Sequence, residues 1–312
     1  MAELSPAMPK AGGPYYFLAR ALGPLFGTIG GLGSWIAVVF KSAFALVGMG
    51  AYLSLYLDVP ILVLAVILTL VFGLINAVGA KETTFLQRLL VAVLVVILAA
   101  FVILGLAHTG VADGLRPNEG SQPFFTAGTV GFVATIGLVF VSYAGLTKVA
   151  SVAEEVQSPD RNIPLGMVLS LLTATAIYTL GLIVIIAVLP IESRYGSLTP
   201  VADAGRQFVG DWPFDLGVFL IVVSAIAAFA STGNAGIMSA SRYPYAMAKD
   251  KLLPERFAAI GRFGTPVFSI AVTTLSMIAV LLLFNVEAAA KRASAFQLFL
   301  FGLVSGAVIV MR

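Results

Sequence analysis

The sequence contains no cysteine, which removes disulfides, thiolate nucleophiles and thiol-rich metal sites together. Charge is scarce too. Only 11% of the 312 residues are Asp, Glu, Lys or Arg, and the sole histidine leaves little for general acid–base work or imidazole ligation. No Gly-rich phosphate loop, metal-ligand pair or Ser/His/Asp set stands out. No apolar run carries a central Asp or Glu from which an intramembrane hydrolase could be built. Enzyme chemistry, cofactors and metals are therefore not expected. A net charge of only +3, with no basic cluster, gives nucleic-acid binding no support. A cleavable signal peptide is not expected either, because residues 1–23 form a Pro- and Gly-broken stretch without a continuous apolar core.

What is present is apolar. Hydrophobic residues make up 60% of the chain and mean hydropathy is +1.03, far outside the range of soluble domains. The lipid bilayer is thus the first partner. Crossing roughly 30 Å of hydrocarbon takes about 20 residues of helix. Eight runs approach that length, near 25–56, 60–79, 85–107, 125–152, 165–189, 214–247, 266–286 and 295–311. Turn chemistry separates them: Asp58-Val59-Pro60, "GLRPNEGSQP" ahead of the fourth run, Ser158-Pro159, and Gly264-Thr265-Pro266. Asn162 followed by Pro164 predicts the start of the fifth helix, with Asn162 as its cap. The expected fold class is all-α and integral to the membrane. Residues 1–23 form an amphipathic cytoplasmic loop and residues 24–312 a single transmembrane domain.

Basic residues predict the orientation. Twelve of the 18 Lys and Arg residues fall on the side of the N-terminus, five fall on the other, and Lys41 lies inside a run. The positive-inside rule then places both termini in the cytoplasm, which eight spans allow.

One run is irregular. "VFVSYAGLTKVASVAEEVQSPDRNIP", Val139 to Pro164, starts as a membrane helix but places Ser142, Tyr143, Ala144 and Gly145 at mid-span. Lipid cannot satisfy freed backbone groups, so such a break must face protein or a water-filled cavity. Broken helices near the midplane are where secondary transporters expose backbone to substrate and ions. The bland reading is a small-residue packing face.

Three stretches together resemble the amino acid/polyamine/organocation permeases. "AMPKAGGPYYFLARALGP" is similar to the inner loop after the second helix of that family, and the Val139–Pro164 stretch to its broken sixth helix and following loop. "SASRYPYAMAKDKLLPERFAAIGRFGTP" is similar to the end of the eighth helix and the start of the ninth. The resemblance implies a leucine-transporter-type fold of five-plus-five inverted repeats, with the eight runs matching helices 3 to 10. Counterparts of helices 1 and 2 are not found, so the chain is expected to be truncated at its N-terminus. It also implies secondary active transport of an amino acid by alternating access, proton-coupled or exchanging rather than sodium-coupled, at the cell membrane. The alternatives are a non-transporting fragment that acts as an assembly partner and, more remotely, a channel or scaffold.

The resemblance assigns substrate contacts to Ser142, Tyr143, Ala144 and Gly145, flanked by Val141 and Thr147. Tyr143 would be an aromatic wall or gate. Ser231 and Thr232 match half of a sodium position. Asn234 is either helix-packing glue or a site-lining amide. Lys41, in "WIAVVFKSAFALVGMG", is the sharpest anomaly, because a central charge costs about 2.5–3.5 kcal/mol on insertion scales and so faces a cavity or partner. It either stands in for a sodium ion and exchanges a proton during transport, or pairs with an acidic group on the substrate. The structural alternative is a lysine bonded to carbonyls of the broken helix. Glu154, Glu155, Asp160 and Arg161 read as a solvated inner loop, His108 as an interface residue, and Trp35 and Trp212 as anchoring or packing aromatics. Pro244 is expected to kink the inner end of its helix.

Overall fold

A computed structural model describes residues 5, 12–79, 81–109, 128–143, 145, 156–194 and 196–311. Among them the regular structure is helical. Ten helices are named here: α1 (Pro14–Leu22), α2 (Pro24–Leu53), α3 (Ile61–Val78), α4 (Lys81–Thr109), α5 (Gly128–Tyr143), α6 (Pro159–Val188), α7 (Pro200–Val209), α8 (Leu216–Lys249), α9 (Val267–Leu283) and α10 (Val286–Met311). Each of the eight apolar runs holds one helix. Six of them, α2, α3, α4, α6, α8 and α10, are long and apolar enough to cross a membrane, while α5 and α9 are apolar but shorter. The protein is a multi-pass membrane protein.

The starts of the helices follow local chemistry. Pro24 opens α2 directly after Gly23, whose φ of 90° is a conformation that L side chains rarely adopt. Pro159 opens α6, and here the structure corrects the sequence expectation. Ser158, at φ 48°, rather than Asn162, is the residue before the helix, and Asn162 lies in the first turn, donating from Nδ2 to the Gln157 carbonyl at 2.6 Å. Pro159 satisfies the same first-turn preference as Pro164 and sits five residues earlier. Pro164 is then inside the helix, where it removes one backbone hydrogen bond. α8 runs through Pro244 to Lys249 without interruption.

Two elements were not foreseen. Where the sequence reading has an amphipathic loop, residues 14–22 form α1, which buries Tyr15, Phe17 and Leu18. Between the fifth and sixth runs, α7 buries Ala202, Ala204, Gly205 and Val209.

The packing centre is α2, which lies against α8, α10, α1, α3 and α9. Lipid is as apolar as leucine, so helix association there depends on close approach and on polar bonds rather than on apolar area alone. Both are present. A Cβ at Gly48 would lie 2.5 Å from the Phe229 ring, and one at Gly50 would lie 2.8 Å from the Ile61 carbonyl oxygen. Trp35 Nε1 donates to Thr273 Oγ1 at 3.1 Å, and Thr265 Oγ1 donates to the Ala77 carbonyl at 2.7 Å. Val39, Phe40, Leu46, Met49, Ile237, Met247 and Met277 form the main buried cluster between these helices. By contrast α6, which packs on α4 and α7, leaves most of its surface uncovered.

Candidate functional site

The site forms where α5 stops. Its α-helix ends at Tyr143, and Gly145 lies just beyond. The last carbonyls of a helix have no intrahelical partner and form the negative end of its dipole, a setting that favours a cation. Ser142, Tyr143 and Gly145 line a cleft of about 230 Å³ together with Met167, Ser170, Leu171, Ala174 and Tyr178 of α6. The rings of Tyr143 and Tyr178 meet edge to face with centroids 5.6 Å apart, giving the cleft an aromatic side. Of the other residues assigned here from sequence, Val141 lies in the last turn of α5, whereas Ala144 and Thr147 lie outside the described residues, as do Glu154 and Glu155.

Lys41 comes to the same place from α2. A Cβ built on Gly145 would stand 3.8 Å from Lys41 Nζ and meet no other described atom within 4 Å. Alanine therefore fits at position 145, and a longer side chain would extend into the space shared with the ammonium. Among the described residues Lys41 has no hydrogen bond or ion pair. The next residue, Ser42, is fully buried, and its hydroxyl has no hydrogen-bond partner among the described residues.

Asn234 is engaged elsewhere. Asn76 of α3 donates from Nδ2 to Asn234 Oδ1 at 2.8 Å and to the Phe72 carbonyl at 2.8 Å, and both amides are 3% exposed. The pair ties α3 to α8, which is the packing role that the sequence left open. Asn76 was missed, although an amide in the otherwise apolar "LVFGLINAV" needs a partner and Asn234 was the obvious one. Ser231 is buried and Thr232 partly buried, about one turn before Asn234 on α8.

The remaining candidates have structural surroundings. His108 ends α4 with its ring 6.2 Å from Phe208, and Trp212 is 41% exposed. Lys249 Nζ lies 4.6 Å above the Tyr245 ring. Nearby, Tyr15 of α1 donates to Asp250 Oδ2 at 2.5 Å, closing α1 over the end of α8. Burial first, and then the bond to Asp250 and its negative charge, push the Tyr15 phenol well above its usual range.

Among the described residues the chain is a helical, multi-pass membrane protein with a small cleft beside the end of α5, an architecture that fits a membrane permease. The amino acid permease family matches residues 1–312, and the chain belongs to that family, within the amino acid/polyamine/organocation superfamily. Among curated relatives, the chain is 31% identical over 332 residues to cationic amino acid transporter 2, vacuolar, of Arabidopsis thaliana, covering 100% of this chain and 51% of the relative. An uncharacterized transporter of Mycobacterium bovis is 32% identical over 270 residues, covering 85% of this chain and 58% of the relative. The methylthioribose transporter of Bacillus subtilis is 28% identical over 249 residues, covering 80% and 51%. The chain spans about half the length of the curated relatives it matches.

Proposed function

We infer that the chain carries the substrate site of a secondary active amino acid permease, which moves its substrate by alternating access around the interrupted α5. The single observation that carries this reading is the juxtaposition of Ser142, Tyr143 and Gly145 at the end of α5 with Lys41 of α2 beside an open cleft. Such an end offers carbonyls to an α-ammonium group, and aromatic Tyr143 borders the pocket. Val141, Ala144 and Thr147 complete the proposed contacts, and Asn234 supports the site from α8 through its pair with Asn76. The relatives' names support an amino acid as the substrate class.

The ammonium of Lys41 supplies the positive charge that a sodium ion would otherwise bring and, by exchanging a proton during transport, links it to the proton gradient. Coupling to protons, or exchange, therefore fits better than coupling to sodium, with Ser231 and Thr232 left as the hydroxyls a cation would use. The asymmetry of the basic residues supports cytoplasmic termini, and the proposed location is the cell membrane. The test is uptake of labelled amino acids by the full-length protein in proteoliposomes under imposed gradients. Saturable uptake driven by a pH gradient or by internal amino acid is expected. Uptake that requires sodium would reject the coupling, and absence of any saturable uptake would reject the permease reading.

A further inference from the structure

We propose that Lys41 sets the charge of the substrate, so that the site admits an amino acid with an acidic side chain and turns away one with a basic side chain. This deepens the reading of the Gly145 cleft as the substrate site and rests on it.

The geometry comes first. Lys41 lies well inside the 30 residues of α2, and its Nζ is the one described atom that a Cβ at Gly145 would meet within 4 Å. The ammonium thus stands beside Gly145, which itself lines the cleft. Its partners come second. Among the described residues Lys41 has neither a hydrogen bond nor an ion pair. The cleft's own lining is uncharged, and no Asp or Glu stands at the middle of any of the eight apolar runs. A cation held away from water needs an anion or a cage of oxygens. Among the described residues no such group meets Lys41, and the incoming substrate is the source proposed here.

Every α-amino acid brings one carboxylate beside one ammonium, and the end of α5 is suited to the ammonium. A dicarboxylic amino acid brings a further carboxylate for Lys41. A basic amino acid would instead carry a second cation to a cleft whose Gly145 wall stands beside the Lys41 ammonium and whose described lining holds no acid, which is selection by repulsion. The plant relatives named as cationic amino acid transporters set the opposite expectation, so the experiment has two clear contestants.

The full-length protein is reconstituted in proteoliposomes and offered labelled glutamate, leucine and arginine. Glutamate is expected to be preferred over arginine by about tenfold or more, a difference that one unscreened charge contact readily supplies. Lys41→Gln should lower the ratio of glutamate to leucine uptake by about tenfold, whatever its effect on uptake as a whole, and Lys41→Glu should move the preference toward arginine. Lys41→Arg, which keeps the charge, should preserve the ranking. Gel filtration and thermal unfolding of each variant separate lost selectivity from lost folding. Preference of the wild-type protein for arginine would overturn the proposal. So would an equal loss of glutamate and leucine in Lys41→Gln, because the lysine would then read only the α-carboxylate. Saturable uptake of none of the three amino acids would reject the permease reading along with the proposal, whereas leucine or arginine uptake without glutamate would reject the selectivity alone.

Discussion

Two helices of 30 residues, α2 and α6, both begin with proline and both are apolar, yet they sit in opposite surroundings. The most apolar window of α6 has a hydropathy of 2.4 and is 6% buried, while that of α2 has 1.8 and is 67% buried. The more hydrophobic helix is therefore the less packed one. In a membrane this is consistent, since apolar side chains are content against lipid, and burial is decided by how closely backbones can approach. α2 carries Gly27, Gly30, Gly31, Gly33, Gly48 and Gly50, and at each a Cβ would strike a neighbouring helix or segment. α6 has only Gly166 and Gly181, where a Cβ would meet nothing within 4 Å. Hydropathy reports the solvent, and glycine spacing reports the neighbours.

The largest effect expected from this contrast is at glycine. Gly50→Val pushes a β-branched side chain onto the backbone carbonyl of Ile61 and should cost about 3 kcal/mol, seen as a clear drop in the unfolding temperature of the purified protein. Gly181→Val should leave that temperature unchanged or slightly raised. Equal behaviour of the two variants would break the comparison.

Next comes the amide pair. Asn76→Leu and Asn234→Leu should each cost about 1–1.5 kcal/mol, because each leaves a buried amide without its partner. The double variant should cost less than the sum of the two, and simple additivity in the cycle would show that the pair does not hold α3 to α8.

Tyr15→Phe removes the bond that closes α1 over the end of α8 and should cost about 1 kcal/mol. Because the phenol's pKa is raised on folding, its contribution is complete below the unfolded value of about 10 and is lost as pH rises beyond it. The difference between wild type and Tyr15→Phe should accordingly be constant from about pH 6 to 9 and shrink only in strong alkali. A difference that vanishes near neutral pH would contradict the assignment.

The smallest effect belongs to the exposed face of α6. Leu172 is 62% exposed, so Leu172→Ala should change stability by less than about 0.5 kcal/mol in lipid. A loss of 2 kcal/mol or more would mean that another apolar surface covers this face.

The membrane class and the positions of all eight apolar helices were legible in the sequence, because the length of an apolar run is a direct measure of what it can cross. The short helices α1 and α7 were not. Their register is amphipathic over only nine and ten residues, and their burial depends on which neighbours they meet. α5 is described as far as Tyr143, within the stretch Ser142–Gly145 where the sequence predicts a break, and the residues that would show the break lie outside the described ones. The nearness of Lys41 to Gly145 spans a hundred residues of sequence and needed the fold to be seen. Asn162 was misread as a cap because Pro159 and Pro164 both satisfy the same first-turn rule, and only the left-handed Ser158 decides between them.

The most direct measurement of the central claim is equilibrium binding of a labelled amino acid to the full-length protein carrying Gly145→Leu, with Gly145→Ala beside it. A Cβ at this position has room, whereas a leucine side chain fills the space between the end of α5 and Lys41. Saturable binding should survive in the alanine variant and disappear in the folded leucine variant. Wild-type affinity in Gly145→Leu would place the substrate elsewhere in the molecule.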